Sequence, residues 1–484
     1  MVYGVRKVSE FIESEDCACE ETYKDEHVWM NIPDKRGRQR VVIIGGGFGG
    51  LTLARKLKGE NFQIVLIDKS NHHVFQPLLY QVSTAAIEPS TISFPFRNIF
   101  RGRECFHIRA CEALRVDPKE NILYTTIGKL TFDHLVIATG ADTNYFGNKN
   151  LALYTMALKK TSEALYNRNQ ILESFELALS TNSAEERQRL MTFVVVGGGA
   201  TGVELAGALA EMKKFVLPRD YPDLDANLMR IVVVSSSSCL LPAFKEKSSK
   251  EAADYLTSRK VELLFNTRVE DFSNGILKLK NGDIHTYNVF WAAGVRANSL
   301  EGFDKELYGP GNRLIVDQFN RVKGFDRIYA IGDTAYFPTQ KYPNGLPQVA
   351  QPAMQQATNI AYNLKKWINS EPLKEFKYFD KGQMATIGKS HAVVEIGSFC
   401  FGGILGWLLW LGLHLFYILG VKNRIVIFMD WFLSYLTYSN ALQIIVLPLR
   451  KKRHTISIRK DEALCSNPVK DTPEISKAPG DTAS

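Results

Sequence analysis

Cysteine is scarce in this chain, with seven copies among 484 residues. The seven are scattered and no two form a C-x-x-C pair, which excludes a disulfide scaffold and argues against a cysteine zinc site or a thioredoxin-like motif. We therefore expect no bound metal, and such thiol usage is typical of a protein that faces the cytosol. The first residues also lack the apolar core of a secretory signal peptide.

Charge is not extreme in either direction, since 59 basic and 51 acidic residues give a formal net charge of +8. A chain that is 45% hydrophobic and 23% charged is globular, not collagen-like or wholly disordered, and we expect no nucleic-acid partner. A basic cluster follows the most apolar part of the chain and could hold it on anionic lipid, although a solvated basic end is an equal alternative. Its members are Arg450, Lys451, Lys452, Arg453, Arg459 and Lys460.

The first glycine motif follows a buried-strand run at residues 40–44. Gly45, Gly47 and Gly50 form a G-x-G-x-x-G pattern that permits a tight turn, a close approach of the backbone to a pyrophosphate, and close helix–strand packing. The free N–H groups of the following helix would bind the phosphates. A second strand ends in Asp68, where a carboxylate would accept hydrogen bonds from a ribose.

A second glycine motif, Gly197, Gly199 and Gly202, follows another apolar run at residues 192–196. Its next strand ends at Ser235 and not at an acid. A serine can hydrogen-bond a ribose hydroxyl but does not repel a 2′-phosphate, so the preference for NADH over NADPH stays open. Each glycine motif, with its strand and helix, forms a cradle for one dinucleotide, so two cradles need two dinucleotides. The simplest pair is a tightly but non-covalently bound FAD and an NADH that binds and leaves as a substrate.

Three further strand ends carry glycine, at Gly140, Gly294 and Gly332, and Asp333 follows the last. In this order they resemble the two-dinucleotide flavoprotein superfamily over about residues 38–345. The resemblance implies that Gly332 and Asp333 reach the ribityl-pyrophosphate arm of FAD. No cysteine lies between Gly50 and residue 105, which disfavours the disulfide reductases of that superfamily, and too few lie near the flavin half for sulfide oxidation.

The predicted fold class is α/β, with two Rossmann-like dinucleotide-binding domains and a C-terminal membrane-associating α region. We assign an N-terminal extension without known function to residues 1–38, and the FAD-binding domain to residues 39–155 and 286–345. The NADH-binding domain takes residues 156–285. A C-terminal domain covers residues 346–450, with membrane-anchoring helices from about residue 399, and a basic, then disordered tail covers residues 451–484.

Longer phrases resemble the bacterial type II NADH:quinone oxidoreductases, single-subunit enzymes that pump no protons. The shared phrases lie at residues 75–82, 138–147, 350–355, 378–388 and 407–424, and the likeness runs from about residue 38 to 450. The resemblance implies that Gln351 and Gln355, four apart on one helical face, lie near the flavin and the quinone head. It also implies that Glu204 supports substrate binding or proton delivery and that Lys389 faces the flavin or quinone.

Without that resemblance, two glutamines at this spacing would form an exposed helical face. Glu204 would then be a first-turn carboxylate that interacts with the helix dipole.

The apolar run at residues 399–420 is long enough to span a bilayer core of about 30 Å. It contains five glycines and His414, and it leads into an amphipathic stretch with Lys422, Arg424 and Asp430. The stretch could span the membrane, lie in its interface or form a buried dimer interface, and the resemblance favours the interface. A single apolar hairpin without a chain of intramembrane carboxylates makes proton pumping physically implausible.

These patterns together predict an enzyme that oxidises NADH through FAD and reduces a membrane quinone by two electrons, feeding a respiratory chain. We expect a homodimer that lies peripherally on the cytoplasmic face of a bacterial inner membrane, as the resemblance implies. Two alternatives stay open. One is a flavin oxidoreductase that uses another lipid-soluble acceptor or oxygen, and the other is a membrane-attached redox sensor with little turnover.

Overall fold

The computed structural model describes residues 28–57, 61–437 and 443–446. Most of the predicted N-terminal extension, the whole basic cluster and the predicted tail lie outside the described residues. The described helices, in chain order, are α1 (Phe48–Lys56), α2 (Leu79–Ser83), α3 (Phe96–Ile99), α4 (Lys149–Tyr154), α5 (Thr161–Ser180), α6 (Ala184–Leu190), α7 (Ala200–Glu211), α8 (Leu217–Asp220), α9 (Glu246–Ser258), α10 (Ala350–Ile368), α11 (Gly403–Tyr417) and α12 (Val421–Thr437).

The strands are more numerous and mostly short. In chain order they are β1 (Gln39–Ile44), β2 (Phe62–Asp68), β3 (His72–Val74), β4 (Ser93–Pro95), β5 (Phe106–Ala110), β6 (Ala113–Asp117), β7 (Ile122–Thr125), β8 (Gly128–Thr131), β9 (His134–Ile137), β10 (Ala141–Thr143), β11 (Thr192–Val196), β12 (Arg230–Val234), β13 (Val261–Leu264), β14 (Val269–Ser273), β15 (Ile276–Leu279), β16 (Ile284–His285), β17 (Asn288–Trp291), β18 (Val295–Ala297), β19 (Tyr308–Gly309), β20 (Arg313–Ile315), β21 (Ile328–Ala330), β22 (Ala335–Tyr336), β23 (Gln383–Gly388), β24 (His391–Ile396) and β25 (Phe399–Gly402).

The first parallel sheet has the strand order β21-β9-β1-β2-β5. Its central strand is apolar on both faces because each face is covered by its own core. Val41 and Ile43 pack against α1 and α10, whereas Val42 and Ile44 pack in a second core with residues of β7 and β8. The chain reaches β21 only after the second sheet is complete, so the first domain is built from two separate stretches.

The second parallel sheet has the order β13-β12-β11-β17 and repeats this arrangement. Phe193 and Val195 on β11 face one core, while Val194 and Val196 face another. Each sheet is accompanied by a three-stranded antiparallel sheet, β6-β7-β8 in the first half and β14-β15-β16 in the second. The strands β10 and β18 pair antiparallel and form a two-stranded ribbon between the halves.

After the two halves the chain forms an antiparallel sheet, β23-β24-β25, which is followed by α11 and α12. The apolar run at residues 399–420 is not one continuous helix. Its first four residues form β25, which pairs with β24, and α11 then has 15 residues before the backbone becomes extended at Ile418. Within the described part of the chain, no helix is both long enough and apolar enough to cross a membrane.

Candidate functional site

The first cradle has the geometry that the glycine motif predicts. Gly45 has a φ of +99°, and a Cβ there would lie 2.2 Å from the carbonyl oxygen of Ala138. A Cβ on Gly50 would lie 1.8 Å from the carbonyl oxygen of Gly45. By contrast, a Cβ on Gly47 would meet no atom within 4 Å, so this position borders open space at the start of α1. The turn and the helix contact require glycine, and the open position leaves room for a phosphate.

Asp68 closes the first cradle from the end of β2. Its Oδ2 accepts a hydrogen bond from the Gly46 N–H at 2.6 Å, and its Oδ1 accepts one from the Ser70 N–H at 2.7 Å. Burial raises the pKa of this carboxyl, and the two backbone donors oppose that rise. The carboxylate therefore lies directly beside the glycine turn, with acceptor capacity left for a ribose hydroxyl.

Two residues of this cradle escaped the sequence analysis. Gly46, the middle glycine, has no room for a side chain because its Cβ would lie 2.1 Å from the ring of Phe96. The buried His73 ring lies with its Nδ1 2.9 Å from the carbonyl oxygen of Gly46, and burial lowers the pKa of His73 to about 4. His73 is thus a neutral support of the turn. The run of three glycines indicated that Gly46 has little room, but nothing near it in the sequence identified Phe96 or His73 as its neighbours.

Gly332 and Asp333 lie at the end of β21, beside the start of α10. Gly332 has a φ of +65°, and a Cβ there would lie 2.8 Å from the Ala353 Cβ. The Gly332 N–H donates to Gln356 Oε1 at 2.7 Å. Burial raises the pKa of Asp333, and no hydrogen bond to its carboxylate is found among the described residues. A buried carboxylate without a protein donor can accept hydrogen bonds from a ligand hydroxyl.

The second cradle repeats the first position by position. Gly197 has a φ of +123°, and its Cβ would lie 2.5 Å from the Ala292 carbonyl oxygen. A Cβ on Gly202 would lie 1.9 Å from the Gly197 carbonyl oxygen, while Gly199 borders open space. Both motifs therefore form the same turn, which places the N-terminus of α7 in the same relation to β11 as α1 has to β1.

Ser235 lies where Asp68 lies in the first cradle. It is 4% exposed, and a Cβ on Gly198 would lie 2.8 Å from its Oγ. The Ser235 Oγ accepts a hydrogen bond from the Ser237 N–H at 3.2 Å. The hydroxyl therefore lies beside the glycine turn, but it brings no negative charge to the ribose end of the cradle.

Gly140 and Gly294 lie at equivalent ends of the ribbon that joins the two halves. Both have positive φ, +67° and +90°, and each precedes one of the paired strands β10 and β18. Asn298 closes the ribbon by donating from Nδ2 to the Thr139 carbonyl oxygen at 3.0 Å. The two predicted strand ends therefore meet, one from each cradle.

A cavity of about 110 Å³ lies beside the second cradle, between α2, α7, β23 and the C-terminal helices. It brings together Glu204 and Lys389, two of the residues that the resemblance implied. It also contains Glu211, which the sequence analysis did not select. Three tryptophans, Trp407, Trp410 and Trp431, form its apolar wall.

The two glutamates of the cavity lie on one face of α7, and both are partly buried. Desolvation raises the pKa of both carboxyls to about 8. The Thr386 N–H donates to Glu204 and partly opposes the rise. Both groups are therefore mostly protonated at neutral pH and can donate a proton, which an ordinary exposed glutamate cannot do at that pH.

A hydrogen-bonded row of side chains borders the same cavity. Trp431 Nε1 donates to Gln81 Oε1 at 2.8 Å, Gln81 Nε2 donates to the Tyr80 hydroxyl at 2.9 Å, and that hydroxyl lies 2.9 Å from Thr386 Oγ1. Burial raises the pKa of Tyr80, so its hydroxyl stays protonated. The row ties α12 to α2 and β23.

The structure places Gln351 and Gln355 on one face of α10, as the spacing predicts, but not in this cavity lining. Gln351 Nε2 donates to the Gly382 carbonyl oxygen at 2.8 Å, and Gln355 Nε2 donates to the Phe379 carbonyl oxygen at 2.8 Å. Each amide oxygen accepts a backbone N–H of the same segment. Both glutamines therefore hold residues 379–382 against the start of α10, beside Gly332.

An apolar surface extends from the cavity over α11 and α12. Trp410 is 2% exposed and packs inward, whereas many neighbouring side chains are open. The exposed apolar residues of this region include Phe399, Ile404, Leu405, Leu408, Phe416, Val421, Ile425, Phe428, Met429 and Phe432. Arg424 donates to the Ile418 and Phe416 carbonyl oxygens at the end of α11, so the two helices are joined as a pair. A patch of this kind marks an interaction surface.

The residues of the first cradle fit a bound FAD. The open position at Gly47, the free helix start and the two carboxylates of Asp68 and Asp333 are the parts that a dinucleotide requires. The four cysteines of the described part, Cys105, Cys111, Cys239 and Cys400, form no disulfide, so a redox disulfide is not available there. The fold and both cradles define a flavoprotein with two dinucleotide sites.

Comparison with known proteins narrows that class. Residues 39–357 match the family model described as pyridine nucleotide-disulphide oxidoreductase, and residues 381–438 match the NDH2 C-terminal domain. Type II NADH:quinone oxidoreductase NdhA of Mycobacterium tuberculosis is 34% identical over 445 residues, which cover 88% of this chain and 93% of the relative. A second type II NADH:quinone oxidoreductase of that organism, Ndh, is also 34% identical, and the match covers 83% of this chain and 89% of the relative.

A solved structure of NDH2 from Plasmodium falciparum in complex with NADH has the same fold, with a TM-score of 0.77 and 20% identity. It covers 85% of this chain and 100% of that chain. The chain belongs to the type II NADH:quinone oxidoreductase family.

Proposed function

We propose that this chain oxidises NADH with a bound FAD and reduces a membrane quinone by two electrons, without pumping protons. The observation that carries the proposal is the cavity beside the second cradle. It is lined by the carboxyls of Glu204 and Glu211 and by three tryptophans, and it adjoins the exposed apolar surface of α11 and α12. When bound, FAD supplies the two-electron chemistry that no side chain of the chain can perform.

The residues of the chain bind and orient the reactants. The first cradle, with Asp68 and Asp333, would hold FAD. The second cradle, with Ser235, would hold NADH. The ribbon glycines Gly140 and Gly294 allow the two halves to meet between these sites. Gln351 and Gln355 would position residues 379–382 at the border of the flavin and quinone region, through the hydrogen bonds described above.

The cavity residues would handle the quinone head. Glu204 is mostly protonated at neutral pH and can donate a hydrogen bond or a proton to a quinone oxygen. Lys389 lies on the same lining, and burial lowers its pKa while Glu211 opposes that change. The tryptophan wall excludes water and favours an apolar ring.

The exposed apolar surface would bring the enzyme to its acceptor. A quinone is dissolved in the bilayer, and an enzyme that reduces it needs an opening towards lipid. We propose that α11 and α12 lie in the membrane interface, apolar side inward. A peripheral position on the cytoplasmic face of a bacterial inner membrane, and a homodimer, complete the proposal.

Anaerobic stopped-flow spectroscopy tests it in two steps. NADH should bleach the yellow flavin of the purified protein, and a short-chain quinone should then restore the colour at a rate that supports turnover. NADPH, in a parallel run, tests the second cradle. Failure of the quinone to reoxidise the flavin, while oxygen or another acceptor does so, would remove the quinone and leave a different flavin oxidoreductase.

A further inference from the structure

The cavity contains one carboxyl without a role in the proposed function. Glu211 lies seven residues after Glu204, two turns along the same face of α7, and both line the cavity. Directly after Glu211 the backbone continues as a π-helix over Met212–Val216. Turns of this type occur frequently at functional sites. The carboxyl is therefore held at a helix end whose geometry is unusual.

Several elements direct polar groups at Glu211. Its Oε1 accepts the backbone N–H of Lys389, in the turn between β23 and β24. The side chains of α11 on the cavity, Trp407, Trp410 and Leu411, do not ionise. The titratable groups that face Glu211 or feel its charge are Lys389, Arg259 after α9, Lys214 in the π-helix, Tyr255 on α9, Tyr80 on α2 and Glu204 on α7 itself.

Three polar side chains lie between this end of the cavity and the surface. A Cβ on Gly388, which lines the cavity, would lie 2.7 Å from the Tyr255 hydroxyl. The Tyr255 ring stacks on the His391 ring at 4.5 Å between centroids, and His391 Nε2 lies 3.4 Å from Glu251 Oε1. These three side chains also line an open depression on the outside, together with Lys247, Lys250 and Asp254.

The reaction needs a proton from outside the cavity, given the proposed function on which this inference rests. NADH gives up a hydride, which carries two electrons and one proton. A quinone that becomes a quinol takes two electrons and two protons. One proton per turnover must therefore come from water to a cavity that protein and lipid enclose.

We propose that Glu211 donates this water-derived proton into the quinone cavity and is reprotonated by water that enters from the open depression at Tyr255, His391 and Glu251. Glu204, deeper on the same helix face, would then contact the quinone, while Glu211 would supply the proton. The raised pKa of Glu211, about 8, agrees with this role because the carboxyl holds its proton at neutral pH. Lys389, Arg259 and Lys214 stabilise the carboxylate that is left after donation.

The test compares Glu211→Gln with wild-type holoenzyme in the two half-reactions. Reduction of the flavin by NADH should stay within twofold of wild type. Reoxidation by a short-chain quinone should slow at least tenfold, and its solvent deuterium isotope effect should increase. Glu246→Gln is the matched control, since Glu246 is an exposed glutamate at the start of α9, and it should leave both half-reactions unchanged.

Quinone reoxidation by Glu211→Gln at the wild-type rate, with the wild-type isotope effect, would overturn the proposal and leave the proposed function intact. If wild type itself fails to reduce quinone, the proposed function fails first. Should Glu211→Gln not retain flavin, Glu211→Asp takes its place, with a carboxyl retracted by one methylene. Its quinone step should slow at least threefold, and its alkaline limb should move in the pH profile. An unchanged rate and profile would contradict the role.

Discussion

The two glycine cradles have the same backbone conformation and differ in the position of their acidic residue. In the first, Asp68 at the end of β2 accepts the Gly46 N–H, and the helix position two residues after the motif is Thr52. In the second, the strand ends in Ser235, and the corresponding helix position is Glu204. The turn conserves its geometry because backbone contacts impose it, whereas the side chains around it are free to serve a resident or a visiting dinucleotide.

This difference in the position of the acid matches the different ligands, one that stays bound and one that must leave in each turnover. A charged acceptor at the ribose end of the first cradle suits a cofactor that stays bound. A neutral hydroxyl at that place in the second cradle suits a substrate that must leave, and the carboxyl moves to the helix, where it faces the cavity. Five substitutions, grouped in four predictions, test how far the two cradles correspond.

The largest expected effect comes from an added methyl group at the first glycine of each turn. In Gly45→Ala the new Cβ meets the Ala138 carbonyl oxygen, so we expect at least a tenfold loss of bound flavin, measured by absorbance per protein. In Gly197→Ala we expect normal flavin content and at least a tenfold slower reduction by NADH.

Gly324→Ala is the control for backbone strain alone. Gly324 has a φ of +88°, and its Cβ would meet no atom within 4 Å. It should cost about 1–3 kcal/mol of stability and change neither flavin content nor NADH reduction. Full flavin retention in Gly45→Ala would show that the first cradle does not hold FAD.

The second effect concerns the acid of the first cradle. Asp68→Asn keeps an acceptor oxygen but removes the charge beside the Gly46 N–H, and hydrogen bonds to charged groups contribute about 1.5–3 kcal/mol. We expect FAD to bind about tenfold or more weakly, measured by equilibrium titration of the apoprotein. Asp117→Asn, whose carboxylate accepts two backbone N–H groups in a distant turn, should leave FAD affinity unchanged. Equal affinity in both variants would contradict the role of Asp68.

The third effect makes the second cradle resemble the first. Ser235→Asp places a carboxylate at the ribose end of the nicotinamide site, where it would repel a 2′-phosphate. We expect the ratio of kcat/KM for NADH over NADPH to rise at least tenfold, because kcat/KM for NADPH falls. Ser180→Asp, on the exposed end of α5, adds the same charge elsewhere and should leave the ratio unchanged. A rise in both variants would indicate a general charge effect.

The smallest effect is a dependence of stability on pH. The folded pKa of Glu204, about 8, lies above its unfolded value, so the folded state holds the proton more tightly. The resulting stabilisation is complete below the unfolded pKa and is lost as pH rises through about 8. Glu204→Gln should flatten the fall in Tm between pH 6 and pH 9 by about 2–4 °C in thermal melts. Parallel curves for wild type and variant would show that the buried carboxyl does not titrate there.

The sequence predicted the glycine turn of each cradle and the strand and helix on either side of it. A strand, three spaced glycines and a helix are neighbours along the chain, and the turn at Gly45 or Gly197 follows from backbone sterics that act over a few residues. The acid or serine that ends the next strand is predicted from the same short stretch of sequence. Sequence also predicted the two parallel sheets, because alternating apolar strands and helices allow few other folds.

Hydropathy was a poorer guide at residues 399–420, since apolar side chains alone do not distinguish a strand from a helix. Only pairing with β24 decided that the first four residues form β25. The glutamines of α10 teach the same lesson. Their spacing predicted a shared face, but the tertiary packing decided that their amides bind residues 379–382.

What the chain determined by itself is therefore local, namely the two glycine turns, their strands and the acid or serine that follows. What only the tertiary structure decided is which distant groups surround them. Glu211 is 178 residues from Lys389 along the chain, yet the two meet in one cavity. Desolvation raises its pKa, and the cavity that buries it is lined by residues of α2, β23 and α11. No pattern within a single segment shows how several segments together exclude water from one carboxyl.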